Sequence, residues 1–271
     1  MTEFQKVIKY IALALAILLA VSIIGGIVSG IGALIAIFDD SDTDDIKGEI
    51  QTTPLNISLA RVDMELAATS LVIENGDELS VQTNNKNLRV EYSSGILKVS
   101  ENKKIGTYPT GLVLILTIPT DHILSSFELE MGAGSVSIGY LTADRIDMDF
   151  GTGEVTIHNL NARKSADIDG GAGKITIRSG LVRDLDLDMG IGELDLGIAP
   201  TGRCDMDMGV GSSRIMISMP IDNYTVKISR GLGSITLDGQ NVSDGTYGTD
   251  SGHVIDISGG IGNIDIGFIQ E

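Results

Sequence analysis

From residue 127 onward apolar and polar residues alternate in short runs, and the runs come in pairs joined by Gly-x-Gly. The stretch LDLDMGIGELDL shows the unit: a run of period two, a glycine corner, then a second run of period two. Period two places successive side chains on opposite faces of a strand, so each run predicts a half-buried strand and each Gly-x-Gly a tight corner. The unit recurs seven times, as FELEMGAGSVSI, IDMDFGTGEVTI, ADIDGGAGKITI, LDLDMGIGELDL, CDMDMGVGSSRIMI, VKISRGLGSITL and IDISGGIGNIDI. The first corner glycines are Gly132, Gly151, Gly171, Gly190, Gly209, Gly231 and Gly260, at spacings of 19, 20, 19, 19, 22 and 29 residues.

A unit this thin cannot bury its own apolar face, whereas stacking it on its neighbours makes a continuous core. Corresponding strands then pair in parallel about 4.8 Å apart. The predicted fold is all-β, a β-solenoid of about 20 residues per coil, and the crossover rule makes it a right-handed β-helix. Residues 55–126 carry similar alternation without Gly-x-Gly and read as degenerate N-terminal coils, with 127–271 as the repeat solenoid proper.

The N-terminus has a different period and a different solvent. Tyr10 to Phe38 is a run of 29 residues without formal charge, about 43 Å as a helix against a hydrocarbon core of about 30 Å. This predicts a single transmembrane helix at 10–38 after a short cytoplasmic segment, 1–9. A cleaved signal peptide has a shorter apolar core, and the Ala12-Leu13-Ala14 triplet lies too early within the run to serve as its cleavage site. Lys6 and Lys9 precede the run while Asp39, Asp40, Asp42, Asp44 and Asp45 follow it, an asymmetry that places the remainder outside the cell membrane. Residues 39–54 read as an acidic, solvated spacer. Gly26 and Gly30 form a GxxxG, which is either a contact through which two such helices pack into a homo-oligomer or simply a glycine-tolerant span with no partner.

Composition narrows the partners. The 271-residue chain carries 37 acidic and 19 basic residues, a formal charge of -18, which argues against binding nucleic acid or an anionic lipid surface and toward cations or a cationic partner. With Cys204 the only cysteine, neither an intrachain disulfide nor a thiolate metal cluster is available. Trp is absent and aromatics make up 4%, leaving no ring-paved carbohydrate groove.

The acidic residues fall in register with the glycines. Two positions before the first glycine stand Glu130, Asp149, Asp169, Asp188 and Asp207; four before stand Glu128, Asp147, Asp167, Asp186 and Asp205. Both sets share a strand face, opposite Leu185, Leu187, Met189 and their equivalents, so they form two outward carboxylate ladders. Like charges 4.8 Å apart repel by about 1 kcal/mol in water, roughly halved by physiological salt. Eight such pairs sum to about 4 kcal/mol, a sizeable share of a typical stability of about 5–15 kcal/mol. Three offsets are open: a solvated face partly paired with Arg145, Arg163, Lys164, Arg183 and Arg203; a cation site, with Ca²⁺ or Mg²⁺ suiting oxygen-only ligands at Asp147, Asp149, Asp167, Asp169, Asp186, Asp188, Asp205 and Asp207; or a docking surface for a cationic partner.

Catalytic patterns do not emerge. His122, His158 and His253 occupy unrelated positions, and Cys204 falls on an apolar column. A phosphate-cradling loop needs a helix after its glycine turn, and here a strand follows each time. The nine-residue period of a Ca²⁺ β-roll is also missing. A glycan-active β-helix enzyme is the remote alternative, lacking the aromatic and basic cleft such enzymes need. The connector 239–253 is the one sizeable insertion and a place where binding would sit, if it is not a plain surface loop.

The segment IPTDHILSSFELEMGAGSVSI leading into repeats of the type IDMDFGTGEVTIHNLNA, behind one N-terminal membrane helix, resembles the bacterial putative-adhesin family of membrane-anchored β-solenoids, which includes LiaG-like proteins. The resemblance covers residues 55–271. It implies a bacterial cell-envelope protein with a surface or envelope partner and a structural or adhesive role. It supplies no catalytic or cofactor-binding residues, and it makes use of the sequons at Asn56, Asn223 and Asn241 unexpected. An extracytoplasmic cation-binding or sensing module is the alternative.

Overall fold

The computed structural model describes residues 46–54, 58–102, 109–249 and 252–269. The expected membrane helix at 10–38, its flanking segment 1–9, the Gly26/Gly30 motif and the first part of the spacer lie outside the described residues. Among the described residues no helix is long and apolar enough to cross a membrane.

All described regular structure is strand, save one 3-10 turn at Ile221–Asn223. In chain order the strands are β1 (Lys47–Pro54), β2 (Arg61–Leu66), β3 (Ser70–Gly76), β4 (Ser80–Asn85), β5 (Leu88–Ser93), β6 (Ile96–Glu101), β7 (Val113–Pro119), β8 (Leu124–Ile177) and β9 (Leu181–Arg183). They continue with β10 (Leu185–Thr201), β11 (Arg203–Ile217), β12 (Thr225–Ser229), β13 (Leu232–Leu237), β14 (Gln240–Asn241), β15 (Gly245–Gly248), β16 (Val254–Ser258) and β17 (Ile261–Phe268). The 54 residues of β8 run through more than two coils without a break in extended geometry.

Alternation does what it predicts. In β10, Leu185, Leu187, Leu194 and Leu196 are buried while Asp186, Asp188 and Glu193 are exposed. Met189 departs from the expectation: at the lip of the corner it is only half-buried. The buried residues of every coil join one core cluster running from Leu59 to Phe268. Parallel registers lock the coils in line: Asp167, Asp186 and Asp205 stand opposite one another, as do Gly173, Gly192 and Gly211. A short third side closes three successive turns, where Ala162 and Pro200 both pair with Val182.

The corner glycines are required by close approach. A methyl group built on Gly192, whose φ is +149°, would lie 1.7 Å from the carbonyl oxygen of Gly173 one coil below. The same approach holds between Gly134 and Gly153, and between Gly211 and Gly262, so two glycine columns run along the corner. The columns end on Ala67 and Ala68 of the coil formed by β2 and β3.

The order of coils in space differs from their order in the chain. Coil 254–268 pairs in parallel with β11 on one flank and with β12 and β13 on the other, so it lies between coils 203–217 and 225–237. The N-terminal end has the same arrangement: coil 61–76 lies between the earliest glycine-cornered coil, 124–138, and the outermost one, 96–119. Among the described residues nine coils result, with the chain stepping over a place and returning to fill it at each end. The spacings of 22 and 29 residues are the sequence trace of this detour.

Each outermost coil is capped by antiparallel strands. At one end β5 pairs with β6, β4 with β7, and β1 with β4. The expected spacer is therefore strand over Lys47–Pro54, and its Lys47, Glu49 and Pro54 suit an exposed sheet edge. At the other end the connector returns along the outer coil, with β15 on β12 and β14 on β13. It is an edge cover rather than a plain surface loop.

Candidate functional site

Register extends the carboxylate ladders beyond the expected ten residues. In spatial order the inner column reads Lys98, Asp63, Glu128, Asp147, Asp167, Asp186, Asp205, Asp256, Lys227. The outer column reads Ser100, Glu65, Glu130, Asp149, Asp169, Asp188, Asp207, Ser258, Ser229. Thirteen carboxylates thus stand in two lines on one face, and the inner line is closed by a lysine at each end. Asp63 and Glu65 were missed because no glycine corner marks their coil. Asp256 was legible, four positions before Gly260, but its coil has Ser258 in place of a second acid.

The face is poorly neutralised. Arg203 forks onto Asp205, with Nε 2.9 Å from Oδ2 and Nη2 3.2 Å from Oδ1. Lys98 Nζ donates to Asp63 Oδ2 at 3.1 Å and lies 4.0 Å from Glu65. The other cations offered by the sequence serve elsewhere: Lys164 and Arg163 pair with Asp144, where Arg145 also acts through its charge, and Arg183 pairs with Asp184. Of the five cations expected to pair with the ladder, the described ion pairs place Arg203 on it.

Crowding shows in the acidities. Partial burial raises the pKa of Asp147, Asp167, Asp169 and Asp188 above the usual carboxylate value, and neighbouring ladder carboxylates push in the same direction. Asp169 is raised further by a hydrogen bond with Asp149. Among the described residues no group of three or more His, Cys, Asp or Glu side chains is placed to hold a metal ion. The eight aspartates Asp147, Asp149, Asp167, Asp169, Asp186, Asp188, Asp205 and Asp207 are brought together as lines, not as a cage.

Beside the outer column runs an open concavity of about 680 Å³, with Glu130, Asp149, Asp169, Asp188 and Asp207 along one margin and Met131, Phe150, Gly170 and Met189 as its apolar strip. It is long and shallow, suited to an extended ligand more than to a compact one. The face beyond the glycine corner is different in kind. There Lys174 lies 3.6 Å from Glu193, Arg214 stands between Asp195 and Asp265, and Thr236 donates to Asp265 at 2.5 Å. Its two cations stand among three carboxylates, so this face is far less acidic than the ladder face.

The remaining reactive side chains are structural. Cys204 is buried, and burial pushes its thiol up to about 11. Gly202 N–H donates to His253 Nδ1 at 3.0 Å, and His122 Nε2 makes a short hydrogen bond with the Leu59 carbonyl. Glu101 had no signal in the sequence. It is 5% exposed, and its Oε2 accepts the backbone N–H groups of Ala67, Ala68 and Thr69 at 2.8, 3.0 and 3.2 Å. Its Oε1 accepts from Thr69 Oγ1 and Asn85 Nδ2. Glu101 lies on the outermost coil, and its carboxylate thus holds the corner N–H groups of the coil beneath it.

A family profile described as Toastrack DUF4097 matches residues 40–266. Solved structures of similar fold include a "putative adhesin" from Bacteroides fragilis (12% identity, TM-score 0.42, covering 82% of this chain and 97% of that one). Another is a "putative adhesin" from Parabacteroides distasonis (12%, 0.44, 82% and 98%). A third is a "putative lipid binding protein", also from Parabacteroides distasonis (14%, 0.32, 83% and 98%). No curated protein matches the chain.

Proposed function

Because the chain belongs to the Toastrack DUF4097 family, we propose that it is a membrane-anchored extracytoplasmic β-solenoid with a structural or adhesive role in the cell envelope, and that its acidic face is the surface it works with. One observation carries this reading: thirteen carboxylates held in register on a rigid stack of coils, with few cations among them. Repulsion of that size destabilises the fold, so an arrangement repeated over seven coils suits a partner that supplies positive charge. The linear, shallow shape of the concavity favours an extended cationic chain. The apolar run at 10–38 and its flanking charges support the anchor and the orientation. The proposed role is non-enzymatic: the residues that recur on this face are carboxylates in line.

Cation uptake or sensing is the second reading, favoured by the raised pKa values of Asp147, Asp167, Asp169 and Asp188, to which the neighbouring ladder carboxylates contribute. Calorimetric titration separates the two. A lysine-rich extended peptide gives saturable heat that is lost in a variant with Asp186, Asp188, Asp205 and Asp207 changed to Asn, while Ca²⁺ gives none. Saturable Ca²⁺ heat lost in the same variant, with no peptide heat, would replace the first reading by the second. Fractionation with protease applied to intact cells tests placement: recovery of the chain in the cytosolic fraction would overturn the anchor.

A further inference from the structure

Between coils 203–217 and 225–237 the chain leaves a slot one coil wide. The link 218–224 steps across it, and coil 254–268 fills it only after β14 and β15 have turned back along the outer edge. We propose that this last coil is exchangeable between copies of the chain, the 254–268 segment of one copy seating in the slot of another.

The slot defines its occupant closely. It offers parallel pairing on both flanks, to β11 on one side and to β12 and β13 on the other. It takes apolar side chains at the positions of Ile255, Ile257, Ile264, Ile266 and Phe268, all buried. At the corner it accepts glycine alone, because methyl groups at Gly260 and Gly262 would lie 1.9 and 1.7 Å from the carbonyl oxygens of Gly209 and Gly211. A second copy of this chain carries a segment meeting all three requirements. The parallel pairings on both flanks of the coil are the same whether it comes from its own chain or another, while the connector must part from its own outer edge, so concentration decides between them. A short linker holds its own segment at an effective concentration of about 1 mM, and exchange becomes appreciable when copies fold together at that density. This inference rests on the coil order alone and stands whatever the acidic face binds.

Asp207 and Ser258 are register partners across this slot, at a separation a disulfide spans. In a Cys204→Ala background, a full chain carrying both Asp207→Cys and Ser258→Cys should close an internal disulfide when refolded dilute. Two full chains carrying one of these substitutions each, refolded together at about 1 mM, should give cross-linked heterodimer at least about fivefold above a control pairing Asp207→Cys with Ser137→Cys on a distant exposed position. Heterodimer at only the control level would overturn exchange. Failure of the double variant to bridge while keeping its strand circular dichroism would overturn the coil placement itself.

Discussion

Changing Gly192 to Ala puts the stacking of the glycine corner to a direct test. The added methyl would lie 1.7 Å from the Gly173 carbonyl oxygen and 2.8 Å from its carbonyl carbon, against an ordinary carbon–oxygen contact of about 3.4 Å. Relieving it requires the two coils to part by about 1.5 Å at a corner where strands sit about 4.8 Å apart, which breaks local ladder hydrogen bonds worth about 1 kcal/mol each. The φ of +149° is one that side chains rarely adopt, and holding it costs roughly 1–3 kcal/mol more. The sum is about 3–6 kcal/mol out of a stability of about 5–15 kcal/mol, and it lowers Tm by about 10–15 °C for a domain of this size. The chain has no Trp, so far-UV circular dichroism is the assay. Gly252→Ala is the control, since nothing lies within 4 Å of the added methyl. A Gly192→Ala chain melting within about 2 °C of its parent would refute the close stacking.

Removing the Glu101 carboxylate by Glu101→Ala leaves the N–H groups of Ala67, Ala68 and Thr69 buried without their acceptor, at a cost of about 3–5 kcal/mol; Glu101→Gln keeps an acceptor oxygen and should lose less in the same melt. Acidity should act in an unusual direction. The folded pKa values of Asp147, Asp167, Asp169 and Asp188 are raised, so the folded chain binds protons more tightly than the unfolded one. Tm should therefore rise as pH falls from 7 toward about 4.5. Below about 4 the lowered pKa values of Asp144 and Asp244 turn the trend round as their ion pairs are lost; a Tm that falls steadily from pH 7 would contradict the ladder. Raising NaCl from about 10 mM to 0.5 M at pH 7 should also raise Tm, by shortening the Debye length well below the ladder's extent, and an unchanged Tm would show the charges already neutralised.

How far this architecture was legible depends on what each feature needs. The period of 19 or 20 residues, the corner glycines and the acidic columns are properties of a single repeat, so they stand in the sequence. Which coil lies beside which is a property of pairs. The patterns of VKISRGLGSITL and IDISGGIGNIDI fit either order, and only the longer spacings before Gly231 and Gly260 hinted at the detour. Asp63 and Glu65 join the ladder through pairing with Glu128 and Glu130, which no local motif announces. Lys98 and Lys227 close the inner column because non-sequential coils carry them to the two ends. Glu101 is a single side chain holding backbone N–H groups, and nothing repeats to reveal it. Resemblance read from the repeats leads to the same kind of protein as the family match, while activity stayed out of reach because the recurring residues build the fold and not a reaction centre.

Binding and stability measured together test the claim that the ladder is an uncompensated working surface. The decisive comparison sets a variant with Asp147, Asp167, Asp169 and Asp188 changed to Asn against a charge-matched one with Asp77→Asn, Glu78→Gln, Asp121→Asn and Asp222→Asn on exposed positions elsewhere. Titrated with the same lysine-rich extended peptide, the ladder variant should melt higher than the parent and bind at least about tenfold more weakly, a loss of about 1.4 kcal/mol, while the matched variant keeps the parent's affinity. Equal loss in both would show that net charge alone attracts the peptide, and a ladder variant that melts lower would show that the carboxylates hold the fold together instead of straining it.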